Sequence, residues 1–517
     1  MKNFKSFLLI FAFLFFTVQS VLAQNVWVND SRDLFLKHEL QIYEINMRTF
    51  NAQDTNDNGI IDFDDGEESG NFLNGIQRLD ELAEKGINTI HILPIMQLGK
   101  TKALGTAGSL YAPVSFTKLN PQLGSNKTAL SLESQAIKFI NEAHKRRIRV
   151  IVDLPSCGSY DLFLQRPDLF VKDKSGQGIV PADWTDVRLF DAGTESNINK
   201  NVYNLYKDYV DYVMKLGVDG IRADVATSKP ANFWKELITY SRTKDPQFLW
   251  IAEASEIWNE PISSYAVFTP YNKLLEVGFD GYYGKFMDFK NIKSAKDFMN
   301  YIKYVMELKT KYVIPKSVIG SFATHDEMNP TLENGIAYTD MIFWLNALLP
   351  INSYMVDGIP SGDNFVYFWA NKKATKTYTD DDFYFAHRGK MDIFNFSKMP
   401  GGKNTRLESS FVASNRIKYS ITNIYNAPDF KFTELRTSSS SVFGFTLSGN
   451  DSTVIVYGNI SKMPLNDIKI YIPDFEDKDN TIPIKINSVP IASKGKMTTR
   501  LLPYELQIML VGNFKEK

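Results

Sequence analysis

The chain of 517 residues has one cysteine and five histidines. A single thiol excludes a disulfide scaffold, and so few histidines leave almost no room for a histidine-rich catalytic metal cluster. Charge of either sign is not in excess: 58 basic residues face 59 acidic ones, for a formal net charge of −1. With no block of basic residues there is no electrostatic footprint for nucleic acid, and that partner class is set aside. Nor does any apolar run beyond the N-terminus approach the roughly 20 residues needed to span a bilayer. What the chain does have is aromatics: 37 Phe, 25 Tyr and 7 Trp, in a composition 44% hydrophobic and 23% charged that is ordinary for a folded protein. At about 100–200 residues per domain, the length holds two to four domains, or one large barrel with an accessory domain.

Residues 1–23 read as a secretory leader. Lys2 and Lys5 precede an apolar run from Phe7 to Val18, and Val21-Leu22-Ala23 supplies a small-residue exit. Cleavage after Ala23 implies export, to the periplasm or the medium. The apolar run is too short for a membrane anchor, and no cysteine follows it for lipid attachment.

From residue 24 to about 426 short apolar runs alternate with helical patterns. Ile42–Asn46, Ile87–Leu93, Arg149–Val152, Val218–Ile221, Phe248–Ala252, Val318–Phe322 and Tyr354–Val356 read as strands. Between them, Ile76, Leu79 and Leu82 share one helix face, as do Ala136, Ile140 and Ala143, and Tyr206, Tyr209 and Val213; Gly86 and Gly217 stand where C-caps belong. Repeated β-then-α units predict a parallel sheet covered by helices, as a closed eight-stranded barrel or an open doubly wound sheet; periodicity does not separate the two. Residues 156–200 lack helical periodicity and read as an insertion after the third strand. From 427 to 517 short β-rich runs between turn residues predict an antiparallel β-sandwich.

Four acids fall at strand ends: Asp153, Asp224, Glu253 and Asp326. In a parallel β/α barrel those ends converge on one mouth. Several carboxyls in one cleft suit acid/base chemistry, because repulsion and burial push their pKa values apart. Taken singly, each reads more simply as a helix cap or a loop carboxylate; four in series at strand ends make that reading hard to hold for all of them.

From about residue 38 onward the motifs resemble the α-amylase superfamily of glycoside hydrolases, often called family thirteen. Tyr43-Glu-Ile-Asn-Met-Arg-Thr-Phe50 is similar to its first barrel strand, Gly217-Val-Asp-Gly-Ile-Arg-Ala-Asp224 to the fourth-strand motif, and Phe322-Ala-Thr-His-Asp326 to the seventh. Glu253 falls where the fifth-strand acid belongs. The resemblance implies a (β/α)8 TIM barrel and a retaining hydrolase acting on α-glucosidic linkages of oligo- or polysaccharides, α-glucans or malto-oligosaccharides. Asp224 would be the nucleophile and Glu253 the acid/base, with their carboxyls about 5–5.5 Å apart. Asp326 and His325 would bind sugar hydroxyls, Arg222 would keep the nucleophile ionised, Asp153 would orient Arg222, and Tyr111 would stack on the sugar. Two alternatives stay open: a transglycosylase using the same residues, and a non-catalytic glycan-binding protein on a decayed barrel.

The sequence also departs from the family pattern. The third-strand motif normally ends in Asn-His; here Cys157-Gly158 stands in those places. The resemblance thus implies altered recognition of the sugar's primary hydroxyl and puts the family's central calcium in doubt. Cys157 reads as a packed thiol near the mouth. A separate calcium expectation comes from Asp54-Thr-Asn56-Asp-Asn58-Gly59-Ile60-Ile-Asp62, whose alternate oxygen donors and sixth-position Gly match EF-hand spacing. The donors would be Asp54, Asn56, Asn58, the Ile60 carbonyl and Asp62, holding a structural Ca²⁺; an ordinary Asx-rich turn is the alternative. Trp184-Thr-Asp186 and Trp258 read as subsite lining or plain packing, and His91 and His144 as structural.

Overall fold

The computed structural model describes residues 27–56, 61–105, 107–182, 184–327, 329–362, 403–472, 481–485, 491–493 and 495–512. The proposed leader lies outside them, as does the acidic run Asp380–Asp382, which the sequence reads as a solvated loop.

Eight parallel strands form one sheet: β1 (Gln41–Ile45), β2 (Thr89–Ile92), β3 (Arg149–Leu154), β4 (Gly220–Ala223), β5 (Leu249–Ala252), β6 (Gly281–Tyr282), β7 (Ser317–Val318) and β8 (Ser353–Val356). They pair in chain order, and β8 returns to pair with β1. The Asn352 N–H donates to the Val318 carbonyl at 2.9 Å and the Gly320 N–H to the Asn352 carbonyl at 2.8 Å, joining β7 to β8. The sheet is therefore a closed barrel, and the open doubly wound alternative is excluded.

Local signals account for most of the units. The helix Lys200–Leu216 begins at Asn199, whose side chain accepts the Asn201 N–H, and stops at Gly217, whose φ of 98° suits glycine. Its buried face carries Val202, Tyr206, Tyr209, Val210 and Val213. Below the barrel, Trp27 stacks on His144 at 4.1 Å and donates to Asp219, which also accepts from the Val150 N–H. The segment after β3 holds a helix, Tyr160–Gln165, and an antiparallel ribbon pairing Cys157–Ser159 with Val187–Leu189.

The C-terminal region begins after the helix Thr405–Tyr425. A five-stranded and a four-stranded antiparallel sheet face each other over Leu435, Val442, Ile455, Ile470, Met497 and Leu501. This is the antiparallel sandwich expected. The outer face of its larger sheet joins the barrel's own apolar core through Phe443, Phe445 and Leu447, with Phe443 5.0 Å from Phe298 in an edge-to-face contact. Among the described residues no helix is long and apolar enough to cross a membrane.

Strand β6 has only two residues, and its register depends on Gly281. A Cβ there would lie 2.4 Å from the Ser317 carbonyl and 2.5 Å from the Phe35 ring. Gly281→Ala should therefore destabilise the fold by about 1–3 kcal/mol, read as a lowered urea midpoint; an unchanged midpoint contradicts this packing.

Candidate active site

The upper ends of the strands place charged side chains in the barrel interior, where hydrocarbon would be expected lower down. Glu44 on β1, His91 on β2, Asp153 on β3 and Arg222 on β4 are all at most 1% exposed. Buried polar and charged groups persist only when paired, and these are. Arg222 Nη1 donates to Asp153 Oδ1 at 2.9 Å and to Asp224 Oδ1 at 3.1 Å, while Nη2 lies 2.9 Å from Glu253 Oε1. Arg222 Nε donates to the Tyr283 hydroxyl at 3.1 Å.

The two central acids differ in their surroundings. Asp224 Oδ2 accepts from the Ser156 N–H at 2.8 Å and the Ser156 hydroxyl at 2.7 Å. Among the described residues, Glu253 has one hydrogen-bond donor besides its ion pair, the Val225 N–H at 2.7 Å. Burial, reinforced by the nearby charges of Asp224 and Asp326, outweighs Arg222 and pushes Glu253 up to about 8. Val225 itself has φ 37° and ψ 54°, a left-handed conformation that β-branched residues avoid. The bond to Glu253 holds that strained peptide and ties the acid to the residue after Asp224.

A second cluster lies across the mouth. His325 Nδ1 is hydrogen-bonded to the Glu44 carboxylate, and its Nε2 lies 2.9 Å from the Tyr111 hydroxyl. Burial would discharge the imidazole, but Asp326 and Glu44 outweigh it and push it up to about 10. His325 is therefore an imidazolium, donating from Nε2 to the Tyr111 oxygen. The Tyr111 hydroxyl in turn donates to Asp153 Oδ2 at 2.6 Å, and its ring stacks on His325 at 5.6 Å. Burial would raise Asp153, yet Arg222 and His91 hold it at about 2. Asp326 is the most open of these acids, with a side chain 38% exposed.

The resulting cleft has a volume of about 300 Å³ and is lined by Tyr111, Asp224, Glu253, His325 and Asp326, together with Ser156, Cys157, Trp184, Asp186 and Trp258. All seven site residues expected from the sequence (Asp153, Asp224, Glu253, Asp326, Arg222, His325 and Tyr111) come together here. No family model matches the chain. A stretch of 199 residues, 36% of this chain, is 26% identical to an alpha-1,4-glucan:maltose-1-phosphate maltosyltransferase of Bifidobacterium animalis subsp. lactis. Another of 213 residues, 37% of the chain, is 23% identical to a cyclomaltodextrinase of a Bacillus species. These stretches span 27% and 35% of the two relatives, about a third of their length. A solved alpha-amylase from Lactobacillus plantarum superposes on 92% of this chain and 99% of its own, with a TM-score of 0.69 and 18% identity, a likeness of fold.

These relatives and this fold support a distant kinship with the α-amylase superfamily. Within that frame, four contributors escaped the sequence reading. Glu44 holds His325, Ser156 holds Asp224, and Tyr283 supports Arg222. His91, read as structural, sits with Nε2 3.5 Å from Asp153 Oδ2. Only the position of Glu44 on a recognised strand motif offered a signal; Ser156 and Tyr283 carried none. Cys157 is buried, as expected for a packed thiol. Of the proposed calcium donors, Asn58 and Ile60 lie outside the described residues. Asp54, Asn56 and Asp62 lie in a loop tied by Glu67, whose carboxylate accepts from the N–H groups of Thr55, Asn56 and Asp62. Among the described residues no three His, Cys, Asp or Glu side chains cluster as metal ligands.

The charge on His325 can be tested without substrate. At pH 8, ¹⁵N chemical shifts should report a doubly protonated His325 ring, and Glu44→Gln should lower its pKa well below the wild-type value of about 10. A neutral ring in the wild-type protein at pH 8 contradicts the assignment.

Proposed function

We infer that the chain is an exported retaining glycosidase that cleaves α-glucosidic linkages of α-glucans or malto-oligosaccharides. The observation that carries this reading is the asymmetry of two carboxyls sharing one guanidinium. Glu253 is buried and kept protonated up to about 8, while Asp224 accepts hydrogen bonds from Arg222 and twice from Ser156. A protonated acid beside a carboxylate is what protonation of a leaving oxygen and attack on an anomeric carbon require.

In this mechanism Asp224 attacks the anomeric carbon as Glu253 gives its proton to the glycosidic oxygen. The glycosidic bond breaks as a glycosyl ester forms on Asp224; Glu253, now ionised, then takes a proton from a water whose oxygen attacks the anomeric carbon, breaking the ester and freeing the Asp224 carboxylate. The His325 imidazolium, the Tyr111 hydroxyl and Asp326 bind hydroxyls of the sugar held over Asp224. Substrate class rests on relatives whose names include cyclomaltodextrinase, neopullulanase and alpha-amylase. A second reading, transfer of the glycosyl group to a sugar instead of water, is favoured by the similarity to a maltosyltransferase. The same residues serve both.

Export rests on the Lys2–Ala23 pattern, and a structural Ca²⁺ on the loop Asp54–Asp62. That loop offers only oxygen donors, which suit Ca²⁺, and Glu67 already draws its two ends together.

Three outcomes follow. Released sugar from α-linked oligosaccharides, followed by chromatography, should fall on the order of a hundred- to ten-thousandfold in Asp224→Asn and in Glu253→Gln; activity unchanged in both sinks the mechanism, and products longer than the starting sugar move the reading to transfer. The protonated Glu253 is the form that gives the proton, so kcat/KM should fall as pH rises through about 8; a kcat/KM that does not fall across this value contradicts the assignment. A calcium chelator should lower the melting temperature of the wild-type protein; a chelator shift of equal size in Asp54→Ala removes the calcium assignment.

A further inference from the structure

One carboxyl in the cleft has no place in that mechanism. Asp186 is 4% exposed, it lines the cavity, and its Oδ2 has no hydrogen-bond partner among the described residues. A buried carboxyl oxygen without a donor costs free energy, and one that opens onto a cavity can recover it from a bound ligand. Burial pushes this acid up to about 6, with Arg188 only partly opposing it.

Its position fixes which part of a ligand it can meet. Asp186 immediately precedes the ribbon strand Val187–Leu189, which pairs with Cys157–Ser159. Val187 packs against Cys157, and Ser156, next in the chain, holds Asp224 Oδ2 through both its N–H and its hydroxyl. Asp186 faces Tyr160 across the ribbon, its carbonyl accepting the Tyr160 N–H at 3.3 Å, and it lines the same cavity as Asp224, with Cys157 between them feeling the charge of both; Glu253 stands on the other arm of Arg222. On the facing strand, Gly158 has no room for a side chain unless the rings around it move. At Gly158 a Cβ would lie 2.8 Å from the Phe170 ring and 2.9 Å from that of Phe190.

We propose that Asp186 is a specificity-determining residue whose unpartnered oxygen accepts a hydrogen bond from one hydroxyl of the sugar bound over Asp224. The ligand class is a neutral saccharide hydroxyl, and the assignment rests on the glycosidase reading above. Asp186 takes no part in bond making or breaking.

The test uses 4-nitrophenyl α-glucoside, whose single sugar occupies only the position over Asp224, and its four monodeoxy analogues. On the parent, Asp186→Ala should lose roughly ten- to hundredfold in kcat/KM, the effect of one charge-assisted hydrogen bond. On one of the analogues the wild-type enzyme should fall to the level of the variant, because the hydroxyl that Asp186 binds is gone. Asp186→Asn, which keeps an acceptor oxygen and the side-chain shape, should recover part of the loss. An equal loss on all five substrates marks a merely structural residue and overturns the proposal, as does no loss at all. Maltose binding measured by calorimetry in a Glu253→Gln background separates the two readings. If no saccharide binds or is cleaved, the glycosidase reading fails; if maltose binds equally with and without Asp186→Ala, only the present assignment fails.

Discussion

Arg222 brings a full positive charge to a position 1% exposed, and only the carboxylates around it make that burial tolerable. Its three nitrogens reach Asp153, Asp224, Glu253 and the Tyr283 hydroxyl, so four barrel strands or the residues just beyond them are tied to one planar group. The fork geometry of guanidinium makes the tie directional, which a lysine ammonium would not. Asp153 is the residue that makes the arrangement asymmetric. It shares Nη1 with Asp224 and is itself held ionised, so Arg222 cannot be fully given to either of the two central acids. Glu253, more buried than Asp224 and bonded to one amide, is the acid that keeps its proton.

The second cluster depends on the first through Tyr111. Its hydroxyl accepts from the His325 imidazolium and donates to Asp153, so the charge on His325 is connected to the anion that orients Arg222. Glu44 completes the chain from the other side. Alternating charges Glu44, His325, Asp153 and Arg222, each compensated by the next, let several ionised groups sit under one mouth. They also keep the upper layer of the barrel rigid, since moving any one of them leaves its neighbours with uncompensated buried charge.

The legibility of this site in the sequence follows from where each residue sits relative to a pattern. Asp153, Asp224, Glu253 and Asp326 end apolar runs, and those runs are visible because strand burial on both faces leaves them almost wholly hydrophobic. Strand β6 was not visible because two residues, Gly281 and Tyr282, make no run; its place is set by the neighbours on each side, and no local propensity announces it. The strand expected at Val318–Phe322 shrinks to Ser317–Val318 for a related reason. Ser321, Phe322 and Ala323 leave the sheet to bring His325 over the mouth, so an apolar stretch is spent on a turn. Ser156 and Tyr283 are invisible for a different reason: each acts through one hydrogen bond to a charged partner distant in sequence, and serine and tyrosine are common enough that only the folded distance distinguishes them.

The departure at Cys157-Gly158 also has a physical account. Phe170, Phe190 and Leu162 fill the space beside Gly158, and Phe170 and Phe190 stack at 4.7 Å as part of an aromatic cluster that runs on through Phe116 to Tyr206 and Tyr209. A histidine at 158 would have to displace that cluster, which packs the insertion onto the helix Lys200–Leu216. The abundance of aromatics and the scarcity of histidine are then two sides of one solution. Ring packing anchors the insertion to the barrel, and beside the nucleophile the polar contacts come from Ser156, whose N–H and hydroxyl both donate to Asp224. A chain that kept the family's histidine would need a smaller residue at Phe170 or Phe190, and with it a looser insertion over the cleft.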